Sequence, residues 1–156
     1  MNEGDIPRRF NTLRGFLRGN ESAEPMYSAY CASLRIFGDL LPLEEITREL
    51  GVTPTETRRK GEYRKPTSAR PYPNDAWFLR STLPETEPLH RHIDEIWFAV
   101  KPRADYLRQL KQCFRVDVFC GYRTNIDHGG IEVPTASLEM FTVLEIPFGC
   151  SIIVTE

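Results

Sequence analysis

Polar and apolar residues alternate over several short stretches of this chain, and between those stretches the apolar spacing lengthens to three and four residues. From Tyr27 to Phe37, Tyr30, Ala32, Leu34 and Ile36 fall on one side while Cys31, Ser33, Arg35 and Phe37 fall on the other, the period of a β-strand. This segment reads as the first strand and as a central one. The spacing then changes: Leu43, Ile46 and Leu50 form one apolar stripe at i, i+3 and i+7. Pro42 loses nothing at a first helical position by lacking an N–H, Glu44 and Glu45 set negative charge at the helix's positive end, and Gly51 offers the left-handed conformation that ends it. A helix is predicted from about Pro42 to Leu50, and Thr53-Pro54-Thr55 prevents its continuation.

Farther on, Asp75 to Ser81 is rich in aromatic residues and bounded by Pro71, Pro73 and Pro84, which predicts a second strand with Trp77 in the core. Leu89, Ile93, Ile96, Trp97 and Val100 recur at helical steps, so a helix with one buried face is expected after Pro88. Lys101-Pro102 breaks or bends it, and a second helical stretch is expected to turn Tyr106, Leu107, Leu110 and Cys113 inward. Val116, Val118, Cys120 and Tyr122 alternate with Arg115, Asp117 and Phe119 in a third strand. The turn-forming run Thr124 to Gly130 and the short Ile131-Glu132-Val133, stopped by Pro134, complete a predicted hairpin. Ser137 is placed to cap a brief helix holding Leu138, Phe141 and Leu144, and Cys150, Ile152 and Val154 alternate with Ser151 and Ile153 in a last strand.

The order strand, helix, strand, two helices, hairpin, helix, strand predicts an α+β class. The expectation is a single-domain sandwich over residues 27–156, with a mostly antiparallel sheet of four to five strands and helices packed mainly on one face; the ferredoxin-like plan is one such arrangement. Residues 1–26 mix Gly4, Pro7, Gly15, Gly19 and Pro25 with charge and read as an N-terminal arm. Within it Phe10, Leu13, Phe16 and Leu17 share a face among Arg8, Arg9, Arg14 and Arg18, which suits either packing back on the domain or a basic amphipathic anchor.

A length of 156 residues, 40% of them hydrophobic and 27% charged, suits one globular domain with a buried core. The formal net charge of −2 excludes a chain that is basic throughout, so binding of polyanions would need a local patch. No apolar run approaches the roughly 20 residues that span a bilayer, and the first residues carry no apolar signal core, which together predict a cytoplasmic protein. Cys31, Cys113, Cys120 and Cys150 are far apart and form no C-x-x-C pair, so free buried thiols are expected rather than disulfides or metal ligands.

The sequence calls for no cofactor and no metal. His90 and His92 are two apart on a helix and point to nearly opposite sides, leaving His90 and Asp94 as at most a pair. Asp127 and His128, with Arg123 nearby, are the one polar group suited to proton transfer, set against the plainer reading of a polar hairpin tip. Neither a nucleophile elbow nor a phosphate-cradling glycine loop occurs, and the sequence leans away from an enzyme. The strongest feature is the long loop after the first helix, where Arg58, Arg59, Lys60, Arg64, Lys65 and Arg70 stand against Glu56 and Glu62. A connection of about twenty residues exceeds what closure needs, and with Tyr63, Tyr72 and Trp77 nearby the loop is the candidate partner-binding surface.

Gly38-Asp39, Pro42, Ile46-Thr47, Leu50-Gly51-Val52 and Pro54-Thr55, followed by Lys60-Gly61-Glu62 and a Trp-containing strand, resemble the bacterial family called domain of unknown function 4279. The resemblance covers roughly Tyr30 to Val154. It implies no activity, ligand or catalytic residue, and only that the Gly38 to Glu62 segment matters to the fold. The leading expectation is a non-enzymatic cytoplasmic module that binds a macromolecule, foremost a protein, in the manner of an immunity-like partner, through Arg58, Arg59, Lys60, Glu62, Arg64 and Lys65. The alternatives are an enzyme with a site near His128 and a weak nucleic-acid binder using the same loop.

Overall fold

The computed structural model describes residues 25–155. The expected arm therefore lies outside the described residues in all but Pro25 and Met26, its Phe10, Leu13, Phe16 and Leu17 face included. The chain forms β1 (Ser28–Gly38), α1 (Leu43–Leu50), β2 (Glu56–Arg58), β3 (Asp75–Arg80), α2 (Leu89–Val100), α3 (Ala104–Leu110), β4 (Arg115–Thr124), α4 (Glu139–Leu144) and β5 (Cys150–Val154). Short 3₁₀ turns at Lys101–Arg103 and Thr135–Leu138 precede α3 and α4. The strands lie in the order β2-β3-β1-β4-β5, antiparallel except where β5 runs parallel to β4. The first four strands with α1 and α2 reproduce the β-α-β-β-α-β ferredoxin-like plan, and β5 extends its outer edge.

One face of the sheet carries the core. Ala32, Leu34 and Ile36 of β1, Trp77 of β3 and Val116, Val118 and Cys120 of β4 meet Ile46 and Leu50 of α1, Ile93, Ile96 and Val100 of α2, Leu107 of α3 and Met140 and Leu144 of α4. Alternation in β1 and β4 sends the remaining side chains to the opposite face, which no helix of the described residues covers. The expected helix around Leu43 to Leu50 is present, with Gly51 at φ +68° closing it and its N–H donating to the Thr47 carbonyl. Pro102 converts the chain after α2 into a 3₁₀ turn because it supplies no N–H for a continuing helix.

Other expectations are corrected. The hairpin is absent: residues 125–134 form no strand, and Ile131 and Val133 pack against the core from irregular chain. Three residues are too short a run for alternation to identify a strand. The loop after α1 instead begins with β2, a three-residue edge strand paired with β3. Ser137 sits buried within a 3₁₀ turn and makes no cap for α4. Cys113 is exposed just beyond α3, and Cys31 is exposed as well; Cys120 is buried and Cys150 partly so, all four being free thiols.

One buried carboxylate joins the ends of these elements. Asp75, at the first position of β3, accepts hydrogen bonds from the Leu41 N–H at 2.9 Å and the Lys60 N–H at 2.8 Å. The Arg59 guanidinium reaches it at 3.4 Å and also donates to the Leu41 carbonyl at 2.9 Å. Two residues on, Trp77 Nε1 donates to Thr47 Oγ1 at 3.0 Å, which in turn donates to the Leu43 carbonyl, so β3 is fastened to α1 from within. The bond from the Lys60 backbone, helped by Leu41 and Arg59 and opposed by burial, holds the Asp75 carboxyl below the usual aspartate range.

Asp75→Ala strands two backbone N–H groups and is expected to destabilise the fold by on the order of 3 kcal/mol in urea titration. A depressed native pKa contributes stability that is complete above the unfolded value of about 4 and is lost as pH falls through the native value. Asp75→Asn should therefore flatten the fall in thermal midpoint between about pH 5 and about pH 2, measured by circular dichroism.

Candidate functional site

The uncovered face of the sheet is built from short alternating patterns in three strands. Arg35 and Phe37 of β1, Phe78 and Arg80 of β3, and Arg115, Asp117 and Phe119 of β4 share that side, because Arg35 lies opposite both Phe78 and Asp117 and Ser33 lies opposite both Arg80 and Phe119. Glu56 of β2, opposite Phe78, places Arg58 on the same side. An open cavity of about 630 Å³ runs over these residues, lined by Arg35, Phe37, Arg58, Phe78, Arg80 and Phe119, with Ser81, Glu85 and His92 also on its lining. A smaller recess of about 190 Å³ continues it through Tyr30, Cys31 and Glu85 to Arg123 and Ile153.

Each arginine lies on an aromatic ring and is held there by a carboxylate. The Arg58 guanidinium carbon is 4.5 Å from the centre of Phe78 and 4.8 Å from that of Tyr72, and Arg80 approaches Phe78 at 5.7 Å. Glu56 pins both arginines, accepting from Arg58 Nε and, at 2.6 Å, from Arg80 Nη2. Arg35 lies 5.1 Å from Phe119 and 5.5 Å from Phe37, and Asp117 accepts from its Nε at 2.6 Å and from Arg115 Nε at 2.9 Å. The bond from Arg58, with the charges of Arg80 and Arg64 and against the effect of burial, keeps the Glu56 carboxyl below the usual range. The guanidiniums thus cover ring faces that would otherwise lie open to water, while their charge stays at the surface.

Arg58, Arg59, Lys60, Glu62, Arg64 and Lys65 are not equivalent within the basic loop. Arg58 belongs to the sheet face. Arg59 turns inward to Asp75, Leu41 and Glu44, and Lys60 Nζ pairs with Asp39 at 3.0 Å. Glu62 closes the base of the loop: its carboxylate accepts from the Arg59 N–H at 3.2 Å, its carbonyl from the Tyr72 N–H at 2.8 Å, and Gly61 N–H donates to the Tyr72 carbonyl at 3.0 Å. Arg64, Lys65 and Arg70 are exposed and form no ion pair among the described residues. Arg123 faces the recess and pairs with Glu85 at 3.2 Å. Asp127 and His128 are exposed on the segment that follows β4, and no hydrogen bond or ion pair joins either to Arg123.

His92 of α2 is buried among core residues. Its Nδ1 is 2.8 Å from Ser81 Oγ and its Nε2 is 3.1 Å from the Glu87 carbonyl. The Ser81 hydroxyl donates to Glu95, which also accepts from the Thr82 N–H and hydroxyl. A serine nucleophile would aim its hydroxyl hydrogen at the histidine, whereas here the Ser81 hydroxyl donates to the Glu95 carboxylate, so the cluster clamps the end of β3 to α2. Burial would raise the Glu95 carboxyl, but the hydrogen bonds of Ser81, Thr82 and the Leu83 backbone bring it below its ordinary value. No group of three or more His, Cys, Asp or Glu side chains suited to a metal ion occurs among the described residues. Nor is any of their helices long and apolar enough to cross a membrane.

Cys31 lies between the two basins, and the partial desolvation of its sulfur together with the nearby Glu85 charge pushes its thiol above the ordinary value. The more deeply buried Cys120 is pushed up to about 12 by burial and by Cys150 and Cys31. Only thiolate is alkylated. Glu85→Gln removes a charge that opposes ionisation, so iodoacetamide labelling of Cys31 at about pH 8 should accelerate while that of Cys113 stays unchanged, as read by peptide mass spectrometry.

A search among curated proteins and among solved structures finds no match to this chain. The family model described as domain of unknown function (DUF4279) matches residues 27–155, from the residue before β1 to the residue after β5. The match takes in every strand and helix described above, so the chain belongs to the DUF4279 family.

Proposed function

We propose that this protein is a non-enzymatic, cytoplasmic binding module that takes a protein partner on the uncovered face of its sheet, in the manner of a small immunity-like protein. The observation that carries the reading is the paving of that face by Arg35, Arg58 and Arg80 on Phe37, Phe78 and Phe119 beneath an open groove. Arginine and aromatic side chains are the residues that dominate binding energy at protein interfaces, where their flat surfaces desolvate well. Arg64 adds charge near Glu56, Lys65 stands exposed next to it in the same loop, and Arg59, Lys60 and Glu62 fix the base of that loop. The groove lies open along the sheet rather than enclosed, which leaves it accessible to a macromolecular surface.

Replacing Arg58, Arg64, Lys65 and Arg80 together with Ala leaves the Asp75 junction intact. Cross-linked capture from host lysate should recover a discrete partner with the native chain and lose it with this variant. Capture that persists at native level would overturn the reading, and recovery of nucleic acid in place of protein would replace it.

A further inference from the structure

Three features left over from the groove's geometry bear on what it holds: unused donors, surplus charge, and covered rings. Arg35 and Arg58 are each pinned through Nε alone, and Arg80 through Nη2 alone. Among the described residues, both Nη groups of Arg35 and of Arg58, and Nε and Nη1 of Arg80, have no hydrogen-bond acceptor. Pinned guanidiniums with open donors are preorganised for carboxylates, since their side-chain freedom is already restricted before a ligand arrives.

The charge on this face runs opposite to that of the chain. Arg35, Arg58, Arg80, Arg115 and Arg123 outnumber Glu56, Glu85 and Asp117 there, in a protein of formal net charge −2. The two basins share Tyr30, Cys31, Glu85 and Phe119, and together they follow β1 from Phe37 back to Ala29. At about 3.3 Å per residue that is a trough about 25 Å long, room for roughly eight residues of extended chain.

We infer that the groove accepts an extended acidic segment of a protein partner, laid along β1, with its carboxylates on Arg35, Arg58 and Arg80. This inference rests on the sheet face being the binding surface and adds the chemistry of what lies there. A single-stranded nucleic acid offers phosphates for the same arginines but relies on stacking its bases upon open rings. Phe78 is only 5% exposed beneath Arg58 and Arg80, and Phe37 lies between Arg35 and Arg115, so those ring faces are already occupied. The carboxylates of Glu56, Glu85 and Asp117 are interleaved with the arginines, which suits a chain with spaced charges and repels an unbroken run of phosphates.

The test uses the whole chain and three fluorescein-labelled probes: a peptide of about eight residues alternating glutamate and serine, its lysine counterpart, and an oligothymidylate of about eight nucleotides. Anisotropy at low salt should detect binding of the acidic peptide alone. That peptide should slow iodoacetamide labelling of Cys31 several-fold and leave exposed Cys113 unaffected. Arg35→Gln and Arg80→Gln should each weaken binding by roughly tenfold, whereas Arg108→Gln, on the helical side, should not. Thermal unfolding of each variant separates a lost contact from a lost fold. Absence of acidic-peptide binding, binding without protection of Cys31, or equal or tighter binding of the oligothymidylate would each overturn the inference. If the partner captured from lysate is lost in the four-residue variant and yet the acidic peptide does not bind, the sheet face stands as the interface and the acidic-segment inference alone falls.

Discussion

Asp75 must be satisfied where it is buried, and that requirement arranges the surrounding chain. Its carboxylate collects the N–H groups of Leu41 and Lys60, so the turn leaving β1 and the loop leaving β2 are brought to the first residue of β3. A buried carboxylate with fewer donors would cost several kcal/mol, which makes the convergence of three segments a condition of folding rather than a decoration of it. Fixing Asp75 opposite Gly38 also sets the parity of β3. Trp77 then falls on the helical side, where Thr47 receives its indole N–H, and Phe78 and Arg80 fall on the other.

A sheet with helices on one side has to treat its second side in some way that neither aggregates nor leaves apolar rings in water. Here the solution is lateral: arginines from neighbouring strands lie across phenylalanines, and two carboxylates, Glu56 and Asp117, keep two arginines each in place. The pairs are partly exposed and contribute little individually to stability. Their effect is geometric. They line the groove with cationic side chains that are already held in place, so less conformational freedom remains to be lost when something settles in it.

The elements were legible wherever local chemistry agreed with tertiary placement. Pro42, the Leu43-Ile46-Leu50 stripe and Gly51 all act within one helix, and the alternation in β1 and β4 spans ten residues or more. Glu56 to Arg58 escaped notice because three charged or polar residues after Pro54 carry no apolar period, and their pairing depends on β3, far along the chain. The basic loop stood out because its charges are contiguous, but the carboxylates that neutralise Arg59 and Lys60 come from Asp39, Glu44 and Asp75, which no local window joins to them. The sheet face is present in the sequence as Arg35-x-Phe37, Phe78-x-Arg80 and Arg115-x-Asp117-x-Phe119, each of which is locally just the outward half of a strand. Only the register shows that these three patterns are neighbours. Burial of His92 was readable from its spacing of three after Leu89 and four before Ile96.

The stacking of Arg58 and Arg80 on Phe78 has a consequence for how this surface tolerates replacement. A planar, weakly hydrated guanidinium lies flat on a ring and still offers donors at its edge, whereas a lysine ammonium is compact and strongly hydrated and keeps its shell of water. Lysine at either position would preserve the formal charge yet uncover the ring, turning a shielded aromatic into an exposed one. Positive charge is therefore not the property held at these two sites. The property is a flat cationic lid, and arginine is the one side chain that supplies it.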